Sequence, residues 1–233
     1  MRPSDILTYY EMCAAEQTGM LQRGMTFRSP PNHGVILMSQ RSNAPYIDAL
    51  DDDGNLLYEG HDAPRTPRGQ DPKTLDQPRS TPGGTPTENG RFADWTDQFR
   101  RGEVPPARFH VYEKLRDGVW SFRGPFLLRD YRLEPSGPRI VFKFVLQAVN
   151  EGPSGEFLPG PSEGASAQTR QIPTWVKQAV YKRDKGRCVI CGATDQLHFD
   201  HDLPYSKGGT GATPANVRLL CLRHNLAKGA KIE

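Results

Sequence analysis

Only four of the 233 residues are cysteine, and no apolar run is long enough to cross a bilayer. The first scarcity excludes a secreted scaffold stapled by disulfides, which needs cysteines paired throughout a short chain. The second excludes a membrane-spanning helix, which takes ~20 consecutive apolar residues. A secretory leader is not expected either, because Asp5, Glu11 and Glu16 interrupt the first apolar positions. A bacterial cytoplasm is the expected location. A hydrophobic content of 36% fits one or two soluble domains. One-signed charge is lacking overall, at +3, but its division is uneven. Residues 170–233 hold 11 Lys/Arg against 5 Asp/Glu (+6), and residues 1–169 hold 19 against 22 (−3). A basic C-terminal end suits a phosphate-binding module.

Three of the four cysteines fall in that basic end. Cys188 and Cys191 make a C-x2-C knuckle in RCVICG, and Cys221 with His224 makes a C-x2-H pair in LLCLRHN. Together they supply the four soft ligands of a closed tetrahedral zinc site, whereas a redox pair would not need the second couple. A zinc ion without an open position folds a small segment but cannot activate water. Catalysis therefore needs other residues. Between the knuckles, Leu197 and Phe199 alternate with His198 and Asp200, as on a short strand with one face inward, and His201 stands at its end.

Asp200-His201, Asn216, Asn225 and the ending C-x-x-H-N-x-x-K-G resemble the HNH nuclease family, with His224 in place of the usual fourth cysteine. The resemblance implies a ββα-metal fold and hydrolysis of phosphodiester bonds. His201 would act as general base, Asp200 and Asn225 would hold a catalytic magnesium or manganese ion, and Asn216 would brace the loop that carries His201. Lys228 is a candidate phosphate contact. His224 could also be read as the family's final catalytic histidine, leaving zinc three ligands, but its spacing assigns it to the second knuckle and Asn225 to the catalytic position.

Upstream, residues 4–20 predict a short amphipathic helix capped at Ser4. Strand signals follow in GVILMS, PYIDAL and NLLYEG, with Asp53-Gly54 as a turn. Residues 62–92 are rich in Pro, Gly, Thr and charge, and predict a long excursion. Strands resume in RFHVYEKL, VWSFRGPFLLRDYRLE and RIVFKFVLQAV, with Asp117-Gly118 turning the first into the second. At least six strands and one or two helices predict a small barrel. Residues 151–169 read as a Gly/Pro/Ser-rich flexible linker, after which Pro173 opens a helix.

The phrases PYIDALDDDGNLLYEG, ENGRFADW and VYEKLRDGVWSFRGPFLLRDY resemble the SRA-type domain, a PUA-like barrel that binds modified cytosine in DNA. The resemblance implies that Tyr46 and Tyr58 stack on an extruded base while Asp48 reads its Watson-Crick edge, with Asp51 as the rival carboxylate. Read from the residues alone, the same tyrosines are strand aromatics filling a barrel, and the aspartates are turn residues.

The expected architecture is thus α+β: an SRA-like recognition domain at 1–150, a linker at 151–169 and an HNH endonuclease domain at 170–233. The expected partner is double-stranded DNA carrying 5-methylcytosine or 5-hydroxymethylcytosine, as for SRA-HNH modification-dependent restriction endonucleases. One HNH site per chain suggests a homodimer for double-strand cutting. Two other readings stay open: an HNH nuclease with a homing or antiphage purpose, and a zinc-supported DNA-binding protein without catalysis.

Overall fold

The computed structural model describes all residues except 22–23, 42–43, 52–53, 67–68, 152–156, 159–171, 230 and 232–233. In chain order its elements are β1 (Ile6–Thr8), α1 (Tyr9–Ala15), β2 (Met25–Thr26), β3 (Gly34–Met38), β4 (Ala49–Leu50), β5 (Leu56–Glu59), α2 (Glu88–Arg100), β6 (Arg108–Arg116), β7 (Val119–Ser136) and β8 (Arg139–Ala148). Then come β9 (Asn150–Glu151), β10 (Phe157–Leu158), α3 (Thr174–Arg183), β11 (Leu197–His201), β12 (Val217–Cys221) and α4 (Leu222–Lys228). No helix is long and apolar enough to cross a membrane among the described residues.

Two compact units result. One comprises Leu21–Tyr112 and Pro125–Leu158; the other comprises Met1–Met20, Glu113–Gly124 and Pro159–Glu233. By compactness, the N-terminal segment and the tip of the β6-β7 hairpin therefore group with the C-terminal residues. The predicted linker 151–169 lies mostly outside the described residues, apart from the short β9-β10 pair. Asp53 of the predicted turn lies outside them too.

In the unit of residues 21–112 and 125–158, hydrogen bonding orders the strands β2-β3-β6-β7-β8-β5-β4. The α+β class is as expected. The two ends of this order, β2 and β4, are not paired with each other among the described residues, so strand pairing does not close the expected barrel. Strand β8 shows how the sheet fills its core. Phe142, Phe144 and Leu146 alternate onto one face, as the two-residue period of a strand requires. Tyr58 lies opposite Phe144 and Glu59 opposite Lys143 on the neighbouring β5. Helix α2 buries Phe92 and Ala93 in the same core, and Phe92 contacts Phe109 at 4.6 Å and Phe144 at 5.2 Å between ring centroids.

Helix α2 departs from the reading of residues 62–92 as an excursion. Thr87 caps it by accepting a hydrogen bond from Gly90 N at 3.1 Å. Gly90 is required there, since a Cβ would stand 2.0 Å from the Arg79 carbonyl oxygen.

The second unit corrects the predicted N-terminal helix. Ser4 has φ of 77° and cannot cap it, residues 6–8 pair with Val119–Ser121 as β1, and the helix starts only at Tyr9. Thr8 and Glu11 form its capping box. Pro173 does open α3 as its N-cap. Val176 and Val180 of α3 pack with Leu115, Leu197, Phe199, Val217, Leu219 and Leu220. Beneath α3, Lys177 and Arg123 both contact the fully buried Glu113 carboxylate, at 3.2 and 3.1 Å. Burial alone would raise that carboxyl, but the two cations hold it below its ordinary range. Burial in turn pushes the Lys177 ammonium down to about 8.

Because Phe92 is fully buried, in ring contact with Phe27, Phe109 and Phe144, Phe92→Ala should destabilise the fold by ~3–5 kcal/mol. A urea unfolding curve with an unchanged midpoint would contradict this packing.

Candidate functional site

The predicted zinc ligands converge. Helix α3 ends in a turn through Gly186, whose φ of 62° suits glycine, and delivers Cys188 to a tight knuckle. Cys188 N donates to Ala193 O at 2.8 Å, and Gly192 N donates to Cys188 O at 2.8 Å. Val189 N donates to Leu219 O at 3.0 Å, tying the knuckle to β12. Cys221 ends β12 as the N-cap of α4, and His224 follows in the helix's first turn. The four ligand atoms all lie within 4.8 Å of one another. Cys191 Sγ is 3.8 Å from Cys221 Sγ, and His224 Nδ1 is 3.2 Å from Cys221 Sγ and 3.4 Å from Cys188 Sγ. Tetrahedral Zn–S bonds of about 2.3 Å imply sulfur separations of about 3.8 Å, so the donor set fits zinc. Burial would raise the Cys188 thiol, but backbone hydrogen bonds from Cys221, Cys191 and Ile190 bring it down to about 6. A thiolate at neutral pH is the form a metal binds.

The antiparallel register of β11 and β12 separates this cluster from His201. Leu197 faces Cys221 at one end of the pair, and His201 faces Val217 at the other. At about 3.4 Å per residue, four residues of strand put the two ends about 14 Å apart. A metal at the cysteines would therefore lie well away from His201. His198 is buried together with its neighbours Leu197 and Phe199, which the simple alternation did not anticipate. Asp5 bridges to it from the N-terminal segment, with Oδ1 2.9 Å from His198 Nδ1.

Asn216 closes the loop that follows His201. Its Oδ1 accepts from Leu203 N at 2.8 Å, and its Nδ2 donates to Leu203 O at 3.2 Å and Thr210 O at 2.9 Å. Its backbone carbonyl accepts from Asp202 N at 2.9 Å. Gly209 passes so close that a Cβ would stand 1.8 Å from Leu203 O. Arg183 secures the far side through Pro214 O and Val217 O, at 2.6 and 2.7 Å. Sequence reading missed Gly209 and Arg183, although a Gly-Gly pair in a long polar loop is a visible turn signal.

Lys228 requires a correction. Expected as a phosphate contact, it is 1% exposed, and its Nζ donates to Asp200 Oδ2 and to the His201 carbonyl oxygen. A lysine so placed ties α4 to β11 and does not reach into solvent. Asn225 lies three residues earlier in α4, hence one turn away on the same helix face. Asp200 and Asn225 bring oxygen donors that suit a hard divalent ion.

In the other unit the structure brings Tyr46, Asp48 and Tyr58 together. Asp48 is half-buried just before β4. Its Oδ2 accepts from Ser39 N at 3.0 Å and its Oδ1 from Glu59 N at 3.1 Å. Burial raises its carboxyl to about 6, against these backbone bonds. Asp51 is exposed and closes a turn with Asn55, accepting from Asn55 N at 2.7 Å, so it is the turn residue of the two. Tyr58 is 1% exposed within the aromatic core, and burial followed by the nearby Asp48 charge raises its phenol well above the usual value. It is thus a packed ring and not an open wall.

Residues that sequence reading did not identify surround these three. His61 lies nearly parallel to Tyr46, and the Lys73 ammonium sits 4.2 Å from the Tyr46 ring centroid. Behind them a buried charge network joins Glu59 to Lys143 at 2.9 Å and to Arg139 at 3.3 Å, with Arg139 also bonding Asp62. Burial would raise Asp62, but Lys73, Arg139 and Gln77 hold it below its ordinary range.

Replacing Cys221 with Ser should release zinc and unfold the residues around β11, β12 and α4, because metal binding is folding free energy in so small a module. Elemental analysis should find one zinc per wild-type chain; zinc-free, folded wild-type protein would refute the assignment.

Comparison with known proteins follows this geometry. Among curated proteins no match is found. Of solved structures, a modification-dependent restriction endonuclease, TagI, is 17% identical over 97% of this chain and 76% of its own, at a TM-score of 0.42. The SRA domain of SUVH5 in complex with methylated CHH DNA is 18% identical over 68% of this chain and 94% of its own, at 0.43. The type IV phosphorothioation-dependent restriction endonuclease ScoMcrA is 16% identical over 98% of this chain and 51% of its own, at 0.41. Residues 188–231, the segment holding both knuckles, Asp200, His201, Asn216 and Asn225, match the family model of HNH endonucleases.

Proposed function

We propose that this chain is a DNA endonuclease directed to modified cytosine: residues 1–150 read the base, and residues 170–233 cut nearby. The observation that carries the proposal is the coexistence, in one chain, of an HNH segment at 188–231 and a Tyr46-Asp48-Tyr58 cluster in a separate compact unit. The cluster supplies what an extruded cytosine needs, an aromatic face and a carboxylate acceptor for its amino group. 5-methylcytosine or 5-hydroxymethylcytosine is the proposed base, double-stranded DNA the partner, a bacterial cytoplasm the setting, and restriction of modified foreign DNA the role. Tethering a nuclease to a reader raises its effective concentration at the marked site.

In the cutting step, His201 at the end of β11 takes a proton from the attacking water. Asn216 supports this indirectly by holding the loop after His201 in one conformation. Asp200 and Asn225 would hold magnesium or manganese, which when bound stabilises negative charge on the phosphate and leaving oxygen. Asp200 also neutralises Lys228, which joins the helix carrying Asn225 to the strand carrying His201.

His201→Ala should abolish cleavage, leaving the zinc content and DNA affinity at wild-type levels. Cutting at the wild-type rate would show that another group serves as base.

Reading should depend on pH through Asp48. Its carboxyl titrates at about 6, so it is an ionised acceptor above that value and a protonated one below it. Preference for modified over unmodified duplex should therefore weaken as pH falls from 7 to 5. Asp48→Asn should lack this dependence. Tyr46→Ala should cost about 1–3 kcal/mol of stacking, selectively on modified DNA. Titrations must share one salt concentration, since the phosphate contribution varies steeply with salt. Unaltered preference in both Tyr46→Ala and Asp48→Asn would place the base elsewhere.

A further inference from the structure

His61 meets both tyrosines of the proposed base pocket. Its ring lies 17° from parallel to that of Tyr46, with centroids 5.4 Å apart, and its Nε2 is 3.2 Å from the Tyr58 hydroxyl. Parallel rings that enclose a base must stand about 7 Å apart, two van der Waals contacts of about 3.5 Å each. No base fits between Tyr46 and His61 as they stand. The imidazole already makes the stacking contact that an extruded base would make.

The main chain around His61 is fixed by polar side chains. Asn89 accepts from His61 N and donates to His61 O, both at 2.8 Å. Gln77 donates to Gly60 O at 2.6 Å, and Asp62 is held by Lys73 at 2.9 Å and by Arg139. None of these bonds uses the imidazole. Rotation of the ring off Tyr46 would give up its contact with the Tyr58 hydroxyl and leave these main-chain bonds in place.

We infer that His61 is a stand-in for the extruded base: it fills the stacking place on Tyr46 in the DNA-free protein and swings out when a base enters. This rests on the pocket reading. The stand-in keeps the Tyr46 face and the Tyr58 hydroxyl satisfied while no DNA is bound. It also lowers the apparent affinity for an extruded base by the fraction of molecules whose pocket is open, about tenfold if one in ten is open.

The test uses the full chain in a His201→Ala background, so that DNA stays intact, with matched duplexes carrying cytosine or 5-methylcytosine at one position. His61→Ala should bind the methylated duplex about three- to tenfold more tightly than the parent, with unchanged affinity for the unmethylated one. His61→Phe keeps a ring on Tyr46 and should give no gain. A thermal melt checks that both variants fold, as the Asn89 bonds to the main chain predict. Methylated-duplex affinity for His61→Ala at or below the parent's would overturn the inference, as would an equal gain in His61→Phe. Tyr46→Ala run alongside separates the two levels. If it loses the methyl preference and His61→Ala gains nothing, only the stand-in fails; if it keeps the preference, the pocket reading fails and the stand-in with it.

Discussion

The antiparallel register between β11 and β12 sets what the C-terminal segment can do. Pairing Leu197 with Cys221 places the second knuckle beside the first, and the same register leaves His201 opposite Val217 at the far end. A slip of one residue would turn every side chain of β11 to the other face. It would move Phe199 out of the core and Asp200 away from Lys228. The cysteine-histidine cluster holds this register from one end, and the Asn216 bonds hold it from the other. The chemistry proposed for His201 thus depends on ligands about 14 Å away without sharing any of them.

Charge plays the corresponding part in the other unit. Glu59, Arg139, Lys143 and Asp62 are drawn from β5, β8 and the chain just after β5, and they meet where water is largely excluded. Removing one member of such a group leaves an uncompensated buried charge, costing about 3–5 kcal/mol. A hydrophobic replacement of the whole group would serve stability as well or better. What the charged version adds is direction: Glu59 and Lys143 bond the main chain of Ile47, which lies between Tyr46 and Asp48, while Glu59 and Asp62 themselves follow Tyr58 and His61 in the chain. Stability alone does not account for this arrangement, whereas a requirement to hold the proposed recognition groups in place would.

Legibility from sequence followed the range of the interactions involved. The zinc knuckles were readable because each pair is local, C-x2-C and C-x2-H, and only their meeting needed the fold. The opening of α3 by Pro173 was a local signal too, whereas the bracing role of Asn216 was implied only by the family resemblance, and the structure gives it main-chain bonds at Leu203 and Thr210. Helix α2 was missed because its apolar residues are few and its surroundings are rich in Pro and Gly, although the cap at Thr87 was present in the sequence. The N-terminal helix was begun too early because Ser4 is a good capping residue by type, while tertiary pairing of residues 6–8 with β7 overrode that local preference. His61, Gln77 and Asn89 left no signal at all. Asn89 bonds the main chain of His61 28 residues away and Gln77 that of Phe142 65 residues away, and a lone polar residue has no period to reveal its burial.

Lys228 shows why residue type and exposure must be separated. As a helix lysine beside a nuclease motif it resembles a phosphate ligand, yet a buried ammonium needs a compensating charge and acceptors, and the partly exposed Asp200 carboxylate and the His201 carbonyl supply them. Asp200 consequently closes α4 onto β11, and in the proposed cutting step the same carboxylate would also offer oxygen to a divalent ion. Removing it would strand the Lys228 charge in the interior and disturb the helix that carries Asn225, whatever it did to the ion. His201 meets Lys228 through its carbonyl, and a backbone carbonyl survives any side-chain change. The two neighbours on one strand therefore differ: the Lys228 contact of Asp200 goes with its side chain, whereas that of His201 stays with the backbone.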